Sequence, residues 1–203
     1  MTWGVLNEPV AAVVFDVAVL VFAVNEARVE RLSRRRSAAS VTSSLADRGS
    51  KAALMVAFAA GVVAAFAARG LWPELSFGAG ALGWAAYGIG LVLVLAATAG
   101  RVWAVRTLGR WFTTNVRTDT EQTVVEHGPY RWVRHPSYTS ALMCMLGIGL
   151  AVGNFVSAVC FVVLPLIGFV FRIRVEEQAL LGQLGPAYER YAAGHRRLVP
   201  GVW

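Results

Sequence analysis

The chain has 203 residues, of which 57% are hydrophobic and 15% charged, with a formal net charge of +7 and a mean hydropathy of +0.56. Ordinary soluble domains carry about 25% charged residues, so the composition excludes that class and points to a protein of the bilayer. The length allows a few spans and a modest polar layer, which leaves one membrane domain, 1–203, and no room for a large separate extramembrane unit.

The first apolar run, residues 9–24, is interrupted by Asp16 and followed at once by Arg28, Arg31, Arg34, Arg35 and Arg36. A signal peptide carries its positive charge ahead of the apolar run, so a retained span is expected. An acid in mid-span is expensive, and Asp16 is expected to pair with another helix rather than to take part in chemistry. The second run covers 52–68 and the third roughly 77–99, each near the length that crosses hydrocarbon. These three spans and their connectors make up 1–107. Gly78, Gly80 and Gly83 satisfy G-x-G-x-x-G, but no strand precedes them and no acid follows at the distance a dinucleotide fold requires. Close helix packing is expected of them instead.

Residues 128–138 read Gly-Pro-Tyr-Arg-Trp-Val-Arg-His-Pro-Ser-Tyr. The two prolines fix φ and reject continued helix, so Tyr130, His135 and Tyr138 are expected on a rigid, irregular path. Polar residues held rigidly at a membrane edge point to a ligand site. Residues 138–170 are again almost wholly apolar and too long for one crossing, with Gly153 and Asn154 near the middle. Two short helices joined by a tight turn are expected, which makes about five spans. Gly149 and Gly153 form G-x-x-x-G, a pattern for backbone approach between helices. Cys144 and Cys160 lack C-x-x-C spacing and read as small packing residues, with neither a disulfide nor a metal site indicated.

Loop charge sets the orientation. Arginines crowd the first and third connectors and the tail, where Arg172, Arg174, Arg190, Arg196 and Arg197 lie, while the second connector offers only Arg69 and the fourth none. By the positive-inside rule the N-terminus is outside and the C-terminus cytoplasmic. The net charge therefore does not call for nucleic acid, since no RNA or DNA module is visible; anionic membrane lipid is the expected neighbour. The Ala/Arg/Val-rich composition is bacterial in character, which suggests a bacterial plasma membrane. No feature fixes an oligomeric state.

A second polar concentration closes the last apolar run: Arg172, Arg174, Glu176 and Glu177, then Tyr188, Tyr191 and Arg197-Leu198-Val199-Pro200-Gly201. On a continuing helix Arg172 and Glu176 share a face at i, i+4. They form either a surface ion pair of a few tenths of a kcal/mol or a cation and an anion facing one pocket. Two distant segments on the same side thus offer aromatic, cationic, imidazole and carboxylate groups, a set suited to a zwitterionic cofactor bearing an aromatic ring.

Gln122-Thr123-Val124-Val125, Gly128-Pro129-Tyr130, Arg134-His135-Pro136-Ser137-Tyr138, Arg172, Glu176-Glu177 and the Arg197 to Gly201 ending, in this order, resemble the isoprenylcysteine carboxyl methyltransferase family. More broadly they resemble the phospholipid methyltransferase-type integral membrane enzymes. The resemblance covers about 108–203, a catalytic region with a helix hairpin and a cytoplasmic tail. It implies an all-α integral membrane fold and an S-adenosylmethionine site built without a Rossmann domain. Its implied cofactor contacts are Asn115, Gln122, Thr123, Val124, Val125, Tyr130, His135, Pro136, Ser137, Tyr138, Glu176 and Glu177. Arg172 would face the methyl acceptor, a lipophilic or prenylated substrate, and serve as the catalytic positioning group. Gln122 stands where the family pattern has a histidine or another basic residue. For a carboxylate acceptor no general base is needed; for an amine acceptor, His135 or Glu176 would be asked to take a proton. Two other classes remain in view, an NADPH-dependent membrane sterol or steroid reductase and a non-enzymatic scaffold or transporter.

Overall fold

In the computed structural model, residues 4–39, 44–45, 47, 49–112, 114, 117–118 and 122–203 are described. The helices are α1 (Pro9–Ala39), α2 (Ser50–Leu71), α3 (Ala81–Leu108), α4 (Pro136–Val152), α5 (Phe155–Leu184) and α6 (Pro186–Gly194). A two-residue antiparallel pair, β1 (Ser44–Leu45) with β2 (Arg117–Thr118), ties the first long connector to the third. Apart from that short pair, the described fold is all-α. α3 packs on α4 and α2 on α5, α4 and α5 join the two layers, and α1 leans on α3.

Four helices are long and apolar enough to cross a membrane, while α4 is shorter at 17 residues. At 1.5 Å per residue α4 reaches roughly 26 Å, less than the ~30 Å hydrocarbon layer. Large apolar side chains point away from the protein along these helices, among them Leu20, Met55, Val63, Val92 and Ile167. In water such a surface would be an aggregation patch; around a membrane protein it is the lipid face. The protein is an integral membrane protein.

The expected turn at Gly153-Asn154 is present, and its chemistry is local. Gly153 takes the left-handed conformation at φ 81°, which glycine adopts without steric cost. The Asn154 side chain accepts from the Ser157 amide at 3.0 Å and donates to the Trp72 carbonyl at 2.9 Å, capping α5 and fastening the hairpin to the end of α2. The second helix of the hairpin is not short. It continues to Leu184, because its charged residues beyond 170 project past the apolar layer and remain helical.

Small residues set the helix separations. A Cβ on Gly90 would lie 2.5 Å from the Gly147 carbonyl oxygen, and one on Gly149 2.5 Å from Ala158 Cα, so α3, α4 and α5 meet backbone to backbone. Gly149 therefore plays the expected role, whereas its partner Gly153 belongs to the turn. The Gly78, Gly80 and Gly83 pattern is corrected too: a Cβ on Gly83 would collide with the Gly78 carbonyl, and Gly80 has open space around it. These glycines shape the turn that starts α3 and do not pack helix on helix. Cys144 is fully buried among Val94, Ala97 and Phe161, and Cys160 packs beside that cluster.

Asp16 departs from expectation. It lies on the outward face of α1 among Val13, Val17 and Leu20, and no described residue pairs with it. α1 packs mainly on α3 and on the turn before it, and near its end it also reaches Lys51 of α2 and Thr114 through Glu30 and Ser33. Position 16 falls on the other side.

Candidate active site

At the end of the helix bundle where α1, α3 and α5 finish and α2 and α4 begin, a cavity of about 310 Å³ opens. Its floor is the polar stretch singled out in the sequence. Gly128, at φ 60°, begins a 3-10 turn (Gly128–Arg131), and a Cβ there would press on the Thr107 side chain at 2.7 Å. Pro136 takes the first position of α4, where the absent N–H costs nothing. The tail then clamps this stretch: the Arg134 and His135 amides donate to the Arg196 and Arg197 carbonyls at 2.8 and 2.9 Å, and Thr139 Oγ1 to the Leu198 carbonyl at 2.7 Å. Tyr191 adds a bond from its hydroxyl to the Tyr130 carbonyl at 2.7 Å. The Arg197 to Gly201 ending is thus a strap that fixes the floor.

Three of the expected residues form one chain of contacts. Arg172 Nε donates to the Tyr138 hydroxyl at 2.9 Å, and that hydroxyl donates to Glu176 Oε2 at 2.7 Å. The His135 ring stacks on Tyr138 with centroids 5.5 Å apart and 10° between planes. Arg172 and Glu176 do share a face, but the Tyr138 phenol is interposed between them and no surface ion pair forms. Arg172 is 3% exposed, and a buried guanidinium requires compensation. Its NH1 donates to Asp47 Oδ1 at 2.9 Å and to Ser50 Oγ at 3.1 Å, and NH2 to the Thr114 carbonyl.

Gln122, Thr123, Val124 and Val125, outside any helix or strand, line the cavity together with Tyr130, His135, Ser137, Tyr138, Arg172 and Glu176. Asn115 lies outside the described residues. Pro136 and Glu177 do not line the cavity and stand behind its wall. Glu177 is 7% exposed and held by Arg134 and Arg197, each at 2.9 Å, and by His135 Nε2 at 3.2 Å. It fixes the imidazole and the tail, and is too enclosed to meet a ligand directly.

The sequence reading did not assign the acids of the first half to the site. Glu26 of α1 grips Arg101 of α3 through both oxygens at 2.7 and 2.8 Å, and Arg101 also donates to Ser137 Oγ. Glu30 pairs with Lys51 at 2.9 Å. Glu26, Glu30, Lys51 and Arg101 all line the cavity. The i, i+4 spacing of Glu26 and Glu30 at the end of the first span was the available signal. Asp47 has no such signal, since only the fold carries its connector to Arg172. Burial would raise the Asp47 carboxyl, but bonds from Ser50, the Lys51 amide and Arg172 outweigh it and hold the group below its ordinary range. Burial pushes the Tyr130 and Tyr188 phenols up, so both stay neutral.

The pairings leave one acid distinct. Among the described residues each cavity-lining cation, Lys51, Arg101, Arg134 and Arg172, already has a carboxylate partner. Glu176 is the cavity carboxylate with no Arg or Lys on it; its neighbours are the Tyr138 hydroxyl and His135 Nδ1 at 3.9 Å. At the membrane side the cavity turns apolar, walled by Phe22, Leu54, Met55, Phe58, Ala141 and Phe169.

The cavity thus joins a polar end to an apolar end inside an all-α membrane bundle. Residues 89–182 match the isoprenylcysteine carboxyl methyltransferase (ICMT) family. Protein-S-isoprenylcysteine O-methyltransferase A of Arabidopsis thaliana is 36% identical over 121 residues, covering 59% of this chain and 61% of that protein. The Saccharomyces cerevisiae protein-S-isoprenylcysteine O-methyltransferase is 33% identical over 105 residues, 51% of this chain and 44% of its own length. Among solved structures, the eukaryotic intramembrane Ras methyltransferase ICMT superimposes with a TM-score of 0.60 at 26% identity, over 73% of this chain and 52% of that one. Over these residues the chain is similar to the isoprenylcysteine carboxyl methyltransferase family. It spans about three fifths of the Arabidopsis relative and about half of the solved protein.

Proposed function

We propose that this protein is an S-adenosylmethionine-dependent methyltransferase acting on a lipophilic, isoprenoid- or prenylcysteine-like acceptor by carboxyl O-methylation. The observation that carries the reading is Glu176, the cavity carboxylate left without a basic side chain while every cavity cation is paired. An acid in that state suits a cationic ligand. The rest of the donor set fits the same molecule. The stacked His135 and Tyr138 rings, the irregular Gln122 to Val125 segment, and the buried Tyr188 hydroxyl with no partner among the described residues suit an aromatic, hydroxylated nucleoside. Among the described residues of the cavity wall NADPH, a polyanion, would find no basic side chain without a carboxylate partner, which disfavours the reductase reading.

When bound, S-adenosylmethionine supplies an electrophilic methyl group on a sulfonium centre. The chain's own part is positional. Glu176 holds positive charge, Tyr138 and His135 fix Glu176 and offer a flat surface, and Arg172 orients the acceptor carboxylate. A carboxylic acid is ionised at neutral pH, so no residue has to remove a proton. Alignment and exclusion of water are the main contributions. The apolar wall from Phe22 to Phe169 takes the acceptor's hydrocarbon part from the bilayer.

We place residues 1–107 as spans that complete the acceptor side and 108–203 as the catalytic region. The site end of the bundle carries the arginine-rich connectors, which supports a cytoplasmic site and an outside N-terminus in a bacterial plasma membrane, with anionic lipid around it. Purified protein in detergent is expected to move a labelled methyl group from S-adenosylmethionine to N-acetyl-S-farnesylcysteine and not to its methyl ester. Equal labelling of acid and ester would rule out the carboxylate as acceptor.

A further inference from the structure

Arg172 has five N–H donors, and the fold engages four of them. Nε serves Tyr138, NH1 serves Asp47 and Ser50, and one NH2 hydrogen serves the Thr114 carbonyl. One N–H remains. Neither Asp47 nor Ser50 lines the cavity, whereas Arg172, Tyr138 and Thr114 do, so the NH1 edge of the guanidinium is held turned away from the ligand space. Asp47 is itself anchored, accepting from Ser50 Oγ at 3.0 Å and from the Lys51 amide at 3.3 Å at the start of α2. Of the other cavity arginines, Arg101 has its fork filled by both oxygens of Glu26, and Arg134 is held by Glu177.

We infer that Asp47, with Ser50, restricts Arg172 to a single hydrogen bond toward the acceptor carboxylate, leaving the second carboxylate oxygen free to attack. The inference rests on the methyltransferase reading and deepens it. Arginine by preference takes a carboxylate with two parallel bonds, and a fork of that kind would tie up both oxygens. In the transfer, a lone pair of the free oxygen forms the new O–C bond as the methyl–sulfur bond breaks toward sulfur, giving an ester and a neutral thioether with no proton moved. Two-point capture would stabilise the bound acid more than the transition state, which tightens binding and slows the chemistry. Asp47 is thus a positioning residue, supplied by the connector ahead of the family-matched segment 89–182.

The test uses the full chain in detergent with Asp47→Ala and, because loss of a buried counter-ion can unfold a protein, Ser50→Ala as the milder change. With S-adenosylhomocysteine saturating, N-acetyl-S-farnesylcysteine and its methyl ester are titrated; kcat and KM are measured separately with S-adenosylmethionine. Both variants are expected to bind the acid at least about threefold tighter, with the ester unchanged, while kcat falls at least about threefold. A tighter KM with a lower kcat is a split that a helix-capping role for Asp47 does not produce. Unchanged or weaker acid binding, or acid and ester shifting together, would overturn the inference. If the wild-type protein binds the acid but transfers no methyl group, the methyltransferase reading fails, and the attack role falls with it. The acid-against-ester binding split then still reports separately whether Asp47 and Ser50 restrict Arg172.

Discussion

Glu176→Gln is expected to weaken S-adenosylmethionine binding at least about 30-fold, the lower end of what removing one partner of a buried charge contact costs. The substitution keeps the side-chain length and an oxygen for the Tyr138 hydroxyl, now 2.7 Å away, so the floor of the cavity stays in place. What disappears is the cavity carboxylate that, among the described residues, makes no direct ion pair with an arginine or lysine. Thermal unfolding measured alongside should shift by only a few degrees, because Glu176 is partly exposed, at 30% of its side chain, and the Gln oxygen can still accept from Tyr138 of α4. Wild-type affinity in the Gln variant would mean that the cationic ligand is held elsewhere.

Arg172→Lys is expected to lower transfer to a prenylcysteine analogue at least about 100-fold, the scale of a misplaced reactant, while S-adenosylhomocysteine binding falls only a few-fold. A lysine keeps the charge but has a single flexible ammonium with no planar fork, and it cannot serve Tyr138, Asp47, Ser50 and Thr114 at once. Arg172 joins α5 to α4, to the start of α2 and to the third connector. Arg172→Ala therefore goes further: removing one member of a buried ion pair costs about 3–5 kcal/mol, and unfolding at a lower temperature is expected. A few-fold change in cofactor affinity follows from the shared Tyr138 hydroxyl. Loss of cofactor binding equal to the loss of transfer in the Lys variant would place Arg172 in the cofactor site instead.

Much of this was legible in the chain because the local rules are strong. Apolar runs of bilayer length gave the long helices, Gly153-Asn154 gave the hairpin turn, and the prolines at 129 and 136 marked the irregular floor. The assembly of Gln122 to Val125, Tyr130, His135, Ser137, Tyr138, Arg172 and Glu176 around one cavity follows the order of motifs in the second half. The readings that failed depended on what lies beside a residue in space. Asp16 looks like a helix-pairing acid in one dimension, yet α1 is a peripheral helix and turns it outward. Glu177 is adjacent to Glu176, but a helix rotates neighbours by about 100°, which sends one carboxylate to the cavity and the other to Arg134 and Arg197. Glu26, Glu30 and Asp47 escaped because charge beside a span reads as topology. Only the packing in space shows that Glu26 and Glu30 pair with Arg101 and Lys51 at the cavity and that Asp47 reaches Arg172.

The measurement that bears most directly on the cavity as a cofactor site is a titration of the detergent-purified protein with S-adenosylmethionine, S-adenosylhomocysteine and NADPH. Saturable binding of the two adenosyl compounds is expected, weakened by Glu176→Gln and by His135→Ala, with no saturable binding of NADPH. Binding of NADPH alone would contradict the account.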